Sequence, residues 1–583
     1  MNRTGTDISS QPSSEPPVSD SAAGTKFLNR YGLIILAVAS FLVFVMGLDN
    51  VSLWEPDQPK YAEVTRNMIE SGDYLLLTYH GKNYPNKPPL MFWMIASFSR
   101  ITGGVDETAA RLPSALAGVG VVLLTFIFGR RFLGARVGFI AGAMLLTTSY
   151  FVEHSRYVRM DTPLVFFMML MLAIFYLAHD KGRAKWWMWS AFFLLGALGT
   201  MTKGPVGILL PLLICLAFSL VTRDWRAWHW SVAAGALIYV IVLGAWLLPL
   251  WHHAGDKYMY NILIQQNIGR LQGNVPGVVE APRPFYYHFV GFPEMFQQWA
   301  PLFLLALLTA GWRLFRLGER DARIWFAVIW IAVIYVFFTI VPTRHRSYTL
   351  PALPAAALLI AWMLDSFING RGERLIEQIA KWAVAVMLGA SAAIVALATV
   401  VVILDKAALF TKDTKDLFRV GELVRIHAAE AGVLSAVVLA AGVIGAVSAM
   451  KRRWGRAITA LVIVGAAGCV FTYFILYPIN DRFKTSKSFE TKINELAGDA
   501  EMGWYGDLPQ TITFYNHRKY RFINNAEELR AYMAAGTSGE KYCLMPAAKL
   551  NDLTGGSGSP ATAVILKDRV GSQDVILVRS GAP

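Results

Sequence analysis

Met160-Asp161-Thr162-Pro163 is followed by Leu164-Val165-Phe166-Phe167-Met168-Met169-Leu170-Met171-Leu172-Ala173-Ile174-Phe175-Tyr176-Leu177-Ala178 and then by His179-Asp180-Lys181. From Pro163 to Ala178 no side chain carries a charge. With its flanks, such a run is long enough as a helix to cross the ~30 Å hydrocarbon core of a bilayer. An acid followed by a proline opens it, and a loop containing bases closes it.

Outward from this stretch the same pattern recurs. Apolar cores lie near 32–48, 113–129, 137–151, 187–201, 205–221, 232–251, 299–312, 324–341, 348–364, 382–404, 432–450 and 457–477, which with 163–178 predicts thirteen spans. The run Met91 to Ile101 is shorter and is expected to lie along the interface. Of the 583 residues 55% are apolar and 16% charged, against about 25% charged in a soluble domain, and mean hydropathy is +0.43. This composition excludes an ordinary cytosolic enzyme, a disordered protein and a nucleic-acid binder.

The net charge of +14 is mostly a topology signal. The loops 130–136, 179–185, 222–230, 313–323, 368–381 and 451–456 place 19 Lys/Arg in 54 residues, whereas the opposite set (49–111, 152–161, 202–204, 252–295, 342–347 and 405–430) places 19 in 152. The denser set is expected in the cytoplasm together with the N-terminus. Residues 1–26, rich in Ser, Thr, Pro and Gly, are expected to be a disordered cytoplasmic tail. Residues 27–477 then form the membrane domain, with external loops 49–111, 152–161 and 252–295, and 478–583 form a soluble external α/β domain. In that domain Thr511–Tyr515, Lys519–Ile523, Lys541–Met545, Thr562–Lys567 and Asp574–Arg579 alternate like strands. A helix is expected to begin at Asn525, with Glu528 completing a capping box.

Chemistry collects at the external rim. The first external loop, the longest, carries Trp54-Glu55-Pro56-Asp57-Gln58-Pro59-Lys60-Tyr61-Ala62-Glu63 and Tyr84-Pro85-Asn86-Lys87-Pro88-Pro89, and the second ends in Arg156-Tyr157-Val158-Arg159-Met160-Asp161. Asp57 and Asp161 each stand two residues before a proline at a helix start. That is the grammar of an N-cap, and it is equally compatible with a carboxylate serving as a base. Lys87 and Lys203 sit at the same boundary, as snorkelling lysines or as contacts for an anionic headgroup. Arg344-His345-Arg346-Ser347-Tyr348 puts two arginines in a short external loop, where arginine is disfavoured, and has the look of a phosphate clamp. The histidines follow no metal-binding spacing, Cys215, Cys469 and Cys543 make no disulfide framework, and no phosphate-binding glycine loop precedes a strand.

Four stretches taken together resemble the GT-C glycosyltransferases of the protein O-mannosyltransferase and aminoarabinose transferase type. They are Trp54 to Glu63 (family-like W-x-P-D-E-x-R-Y-A-E), Asn86-Lys87-Pro88-Pro89 (E-K-P-P), Met160-Asp161-Thr162-Pro163, and Arg346-Ser347-Tyr348-Thr349-Leu350-Pro351, with Thr202-Lys203-Gly204-Pro205 a fifth and weaker one. The resemblance implies a GT-C fold and transfer of a sugar from a polyprenyl phosphate to a lipid A, envelope glycan or protein acceptor on the external face of a bacterial inner membrane. It also implies that Asp57 is the first-loop catalytic carboxylate and Asp161 the second-loop acid. Lys60, Tyr61, Tyr84, Lys87, Lys203, Arg270, Arg346 and Tyr348 would then surround the donor phosphate. The sequence departs from the pattern at Gln58, Lys60 and Asn86, and Asn267 stands where such relatives can have His. Glu and His are the residues associated with a bound zinc, so a metal is not carried over and no cofactor is expected. A single base with no covalent partner implies inversion. The alternatives are a lipid-linked sugar flippase or transporter and an oligosaccharide polymerase or ligase.

Overall fold

The computed structural model describes residues 19–182, 184–269, 272, 283–316, 321–403, 428–498, 500–516, 518, 520–534, 540–554, 562–570 and 573–581. Helix α1 (Ser19–Phe44) begins inside the stretch expected to be a tail. The Ala22-Ala23 pair favours helix and lengthens the first span toward the N-terminus, and residues 1–18 lie outside the described residues.

The long loop that follows α1 is ordered by its own sequence. Helix α2 (Asp57–Ser71) stops at Gly72, and β1 (Thr78–Tyr79) pairs antiparallel with β2 (Lys82–Asn83). The two residues between these strands, His80 and Gly81, have φ of 52° and 68°, the left-handed pair that a two-residue hairpin requires. Helix α3 (Leu90–Thr102) buries Met91, Phe92, Ile95 and Ala96, so the short apolar run is a helix packed on the protein.

The membrane part continues with α4 (Glu107–Phe132), α5 (Asp161–Asp180), α6 (Trp186–Lys203), α7 (Val206–Thr222), α8 (Ser231–Tyr260), α9 (Ala300–Gly311) and α10 (Ala322–Ile340), with further long helices at Leu353–Ile368, Arg374–Ile403, Ala428–Met450 and Trp454–Val470. Among the described residues nine helices are long and apolar enough to cross a membrane, or ten if Ala135–Leu146 and Ser149–Arg156, bent by 67°, form one span. Thirteen were expected. The other three runs are helical as α6, α7 and α9: the last two are short, and tryptophans at the start of α6 with Lys203 at its end dilute its apolar run. Between α6 and α7 the chain turns at Gly204 (φ +98°), and a Cβ on Gly207 would fall 2.3 Å from the Gly199 carbonyl carbon. These two helices therefore meet backbone to backbone, as small residues allow inside a bilayer.

Beyond Pro478 the chain forms α11 (Lys487–Ala497), β3 (Met502–Tyr505), α12 (Gln510–Asn516), β4 (Tyr520–Ile523), α13 (Ala526–Ala534), β5 (Tyr542–Pro546), β6 (Thr562–Val570) and β7 (Gln573–Ser580). The sheet order is β4-β3-β5-β7-β6, with β3 parallel to β4 and β5 and the β5–β7 and β7–β6 pairs antiparallel. Thr511–Tyr515, expected as a strand, is the helix α12, which buries Thr511, Ile512, Thr513 and Phe514 in succession. The strand at 502–505 gave no alternation because all four of its residues are buried. At the start of α13 the Asn525 Oδ1 accepts from Glu528 N (2.8 Å) and Glu528 Oε2 accepts from Asn524 N (3.0 Å), a capping box shifted by one residue on its return bond.

This C-terminal unit grips the loop between α1 and α4. Asp481 Oδ1 accepts from Ser52 N (3.0 Å) and Trp54 Nε1 (2.7 Å) and also bonds the Ser52 hydroxyl. Tyr515 accepts from Leu53 N (2.7 Å) and donates to Glu107 (2.8 Å). Thr511 N donates to Glu55 Oε1 (2.7 Å), and Arg66 donates to the Phe514 carbonyl (2.7 Å). Burial raises the Glu55 carboxyl to about 7 against the Thr511 and Gln510 amides, raises Glu63 to about 7 against Arg66, and raises Glu490 to about 8 against Ser486, Lys487 and Arg66.

A carboxyl whose folded pKa lies above its unfolded value contributes stability that is present below the unfolded value, about 4.5, and is lost as pH rises through the folded one. The thermal midpoint of the purified protein should therefore fall between pH 5 and pH 8.5. A Glu55→Gln, Glu63→Gln, Glu490→Gln variant should show a flatter dependence over the same range.

Candidate active site

Two buried guanidinium groups fix the ground on which the site stands. Arg111, 3% exposed, donates to the carbonyls of Leu48 (2.6 Å), Val51 (2.5 Å) and Ser52 (2.7 Å) and to Gln58 Oε1 (3.1 Å). Arg156, 5% exposed, donates to the carbonyls of Val43 (2.6 Å), Met46 (2.9 Å) and Gly47 (2.9 Å). Gln58 Oε1 also accepts from Val158 N (3.3 Å). The neutral amide at position 58 thus ties the first turn of α2 to the loop at Val158.

Across that tie Arg159 Nη1 meets Asp57 Oδ2 at 2.8 Å. The Arg159 backbone is held on both sides by Ser114 Oγ, which accepts from its N–H (3.1 Å) and donates to its carbonyl (2.8 Å). Burial opposes the Arg159 charge, but Asp57 and Asp161 outweigh it and raise the guanidinium above its ordinary value. Asp161 Oδ1 in turn receives Lys203 Nζ at 2.5 Å, and Lys203 Nζ lies 5.0 Å from the centre of the Tyr348 ring. Asp57, Arg159, Asp161, Lys203 and Tyr348 therefore form one run of alternating charge closed by an aromatic face. Tyr61 is buried beside it, its hydroxyl pushed well up by burial and then by Asp57 and Tyr84.

This geometry corrects the capping reading of both acids. Asp57 and Asp161 are the first residues of α2 and α5, Pro56 and Met160 hold the cap positions, and neither helix start has a side-chain cap. Each carboxylate is turned to a cation instead.

A cavity of about 510 Å³ opens beside Lys203. Its lining combines Lys87, Asp161, Lys203 and Tyr348 with apolar residues such as Leu243, Trp246 and Phe337. Of the residues assigned by resemblance, these four line it. Tyr84 is packed against Tyr79 and Phe92, and its carbonyl accepts from Tyr258 (3.3 Å). Lys60 faces the Tyr79 ring at 6.0 Å, toward Glu55 and His80. Arg346 is drawn to Glu294. Neither of these two cations lines the cavity, and Arg270 lies outside the described residues. Arg111, Arg156, Arg159 and Gln58 escaped assignment by sequence, although Gln58, Arg156 and Arg159 stand within the quoted motifs. The available signal was the rarity of arginine in external loops.

The residues present do not fit a metal. Asn86 and Gln266 approach each other at 3.5 Å. The Asn267 amide nitrogen donates to the carbonyls of Ile262 (2.8 Å) and Leu263 (3.1 Å). Among the described residues no three His, Cys, Asp or Glu side chains are grouped so as to hold an ion.

Superposed on solved structures, the chain matches ArnT from Cupriavidus metallidurans bound to undecaprenyl phosphate with a TM-score of 0.72 over 95% of this chain and 98% of that one, at 22% identity. The apo state of the same protein gives the same TM-score. The chain therefore shares the fold of that structure. That fold accounts for the bundle and for the loops gathered at one mouth. In sequence, the dolichyl-phosphate-mannose-protein mannosyltransferase family matches residues 86–247. The chain is 26% identical over 333 residues to an undecaprenyl phosphate-alpha-4-amino-4-deoxy-L-arabinose arabinosyl transferase of Pseudomonas aeruginosa, covering 57% of this chain and 59% of that protein. It is 27% identical over 340 residues to an uncharacterized protein of Aquifex aeolicus, covering 58% and 64%. The matched region thus spans about six-tenths of the length of these curated relatives.

Removing one member of a buried ion pair leaves the other charge uncompensated, at a cost of about 3 to 5 kcal/mol. Asp161→Ala and Lys203→Ala should each lower the unfolding midpoint markedly. The double variant should lose less than the sum, as a double-mutant cycle by thermal unfolding in detergent would read.

Proposed function

We propose that this protein transfers a sugar from a polyprenyl-phosphate donor to an acceptor at the external face of a bacterial inner membrane, with inversion at the sugar C1. The supporting observation is the cavity itself, which joins an apolar wall suited to a polyprenyl chain to Lys87, Lys203 and Tyr348, with the Asp57–Arg159 pair beyond Asp161. The names of the relatives point the same way. A lipid is the acceptor class most consistent with those names, ahead of a glycan or a protein. The N-terminus is cytoplasmic in this reading, and residues 478–583 are external.

In the reaction the acceptor hydroxyl gives its proton to Asp57 and its oxygen forms the new bond to C1 as the bond from C1 to the phosphate oxygen breaks. Arg159 holds Oδ2 of Asp57, which leaves Oδ1 as the base. Lys87 and Lys203 take up the charge that develops on the departing polyprenyl phosphate, the role positioned cations perform for a leaving anion. Tyr348 supplies the aromatic face on which the Lys203 ammonium rests. Tyr61 and Tyr84 shape the wall behind, and Asp161 positions Lys203. Lys60 and Arg346 are assigned to the rim, where Arg346 is paired with Glu294.

Membranes containing the protein should incorporate label from a polyprenyl-phosphate sugar into an extractable acceptor. Asp57→Asn should still express and fold, with a lower thermal midpoint because it removes the charge paired with Arg159, while lowering the rate by about 10² to 10⁴-fold, the usual worth of a general base. Retained anomeric configuration in the product, or full activity of Asp57→Asn, would refute the single displacement.

A further inference from the structure

Asp57 and Gln58 are neighbours in α2, and their side chains reach two neighbours in the loop before α5. Asp57 Oδ2 meets Arg159 Nη1 at 2.8 Å, and Gln58 Oε1 accepts from Val158 N at 3.3 Å. Both contacts are pinned from behind by α4. Arg111 Nε donates to Gln58 Oε1 (3.1 Å). The Ser114 hydroxyl accepts from Arg159 N (3.1 Å) and donates to the Arg159 carbonyl (2.8 Å). Arg111 and Ser114 are buried and three residues apart on α4, the spacing that puts two side chains on one helix face. One face of one helix therefore sets the register between residues 57–58 and residues 158–159.

The Asp57–Arg159 pair does not set that register by itself. Its side chains remain 32% and 26% exposed, and an ion pair open to water is a weak restraint, because solvent screens it and two flexible side chains must be ordered to make it. Gln58 and Ser114, at 2% and 0% exposure, are out of water and hold backbone atoms of Val158 and Arg159. We propose that Gln58 and Ser114 are positioning residues for the base: they set the Arg159 guanidinium against Oδ2 of Asp57, so that Oδ1 is the oxygen presented to the acceptor. The inference rests on the reading of Asp57 as general base and deepens it. Ser114 acts through Arg159, and Gln58 acts through Val158 and the first turn of α2. The chemistry at each position is specific. At 114 the group must both donate and accept within one short side chain, which a hydroxyl does and a methyl does not. At 58 it must be an acceptor oxygen, which a carboxylate also supplies and an alkyl group does not.

The test uses the purified full-length protein in detergent. A hexose and a pentose, each with and without an amino group, are offered as labelled undecaprenyl-phosphate sugars with total envelope lipid as acceptor, and the donor that the unmodified protein turns over is kept. Misplacing a reacting group by about 1 Å costs about 10²-fold in rate. Gln58→Leu, Ser114→Ala and Ser114→Cys are therefore each expected to lower kcat by about 10 to 10²-fold while still binding undecaprenyl phosphate within about twofold of wild type. Ser114→Cys, nearest in size to the native residue, carries the test if Ser114→Ala does not fold. Gln58→Glu, which keeps the acceptor oxygen, should hold kcat within about threefold of wild type. In an Arg159→Ala background Ser114→Ala should change the rate by less than about twofold, because the guanidinium it positions is gone. An equal fall in both backgrounds, a parallel loss of lipid binding, or an unchanged kcat in variants that fold would overturn the inference and leave the transferase reading standing. No transfer from any of these donors by the unmodified protein, or full activity of Asp57→Asn, would instead remove the reading on which the inference rests.

Discussion

Arg111 carries the constraint on which the site depends. A guanidinium buried to 3% exposure with no carboxylate among its hydrogen-bond acceptors is stable only if its N–H groups are met by oxygens of fixed position. Arg111 meets the carbonyls that end the first span and begin the first loop, along with the side-chain oxygen of Gln58. Arg156 does the same for carbonyls slightly earlier in the chain. In a bilayer protein these carbonyls could not simply be left to solvent. The two arginines thereby turn the unwound end of the first span into a rigid platform, and the orientation of α2, hence of Asp57, follows from it. An acid at position 58 would add a charge to a network that Gln58 completes as a neutral acceptor.

From that platform the remaining charges fall into ion pairs at one rim. Asp57 with Arg159 and Asp161 with Lys203 place two carboxylates near each other without leaving either uncompensated. Each pair also fixes a side chain that would otherwise be long and free. Lys203 is held by Asp161 and seated on Tyr348, so its ammonium is already in position for the phosphate of the proposed donor. Preorganised charge of this kind acts without reorganisation at the moment of reaction.

The fold was legible in the sequence where a single physical signal dominated. Long uncharged runs marked the spans, and the Lys/Arg density of the loops sorted them into two sets. Legibility failed where two signals coincided. Thr511–Tyr515 alternates as a strand does, yet its residues are buried in succession as the helix α12. The D-x-P grammar at Asp57 and Asp161 suits a cap as well as a base, and that neither caps its helix is visible only from the partners across space, Arg159 and Lys203. Arg346 looked like a phosphate ligand because arginine is scarce outside, whereas Glu294, 52 positions earlier, takes it up. In each of these cases the missing information was a contact distant in sequence, which no local pattern encodes.

The same separation in sequence explains the place of the C-terminal unit, of which no described residue lines the cavity. Ser52, Leu53, Trp54 and Glu55 find hydrogen-bond partners at Asp481, Tyr515 and Thr511, more than 400 residues away. These groups immediately precede Asp57, on a stretch whose far side Arg111 holds by its carbonyls. The Ser52 and Leu53 amides and the Trp54 and Glu55 side chains are thus met by one part of the chain and the Val51 and Ser52 carbonyls by another, which restrains the segment from both sides. Loops tolerate motion when their backbone groups can exchange partners with water, and this one cannot. In the proposed reaction one oxygen of Asp57 faces the acceptor while the other is held by Arg159, and the restraint on the segment just before it, half of it supplied by the C-terminal unit, keeps that carboxylate in place.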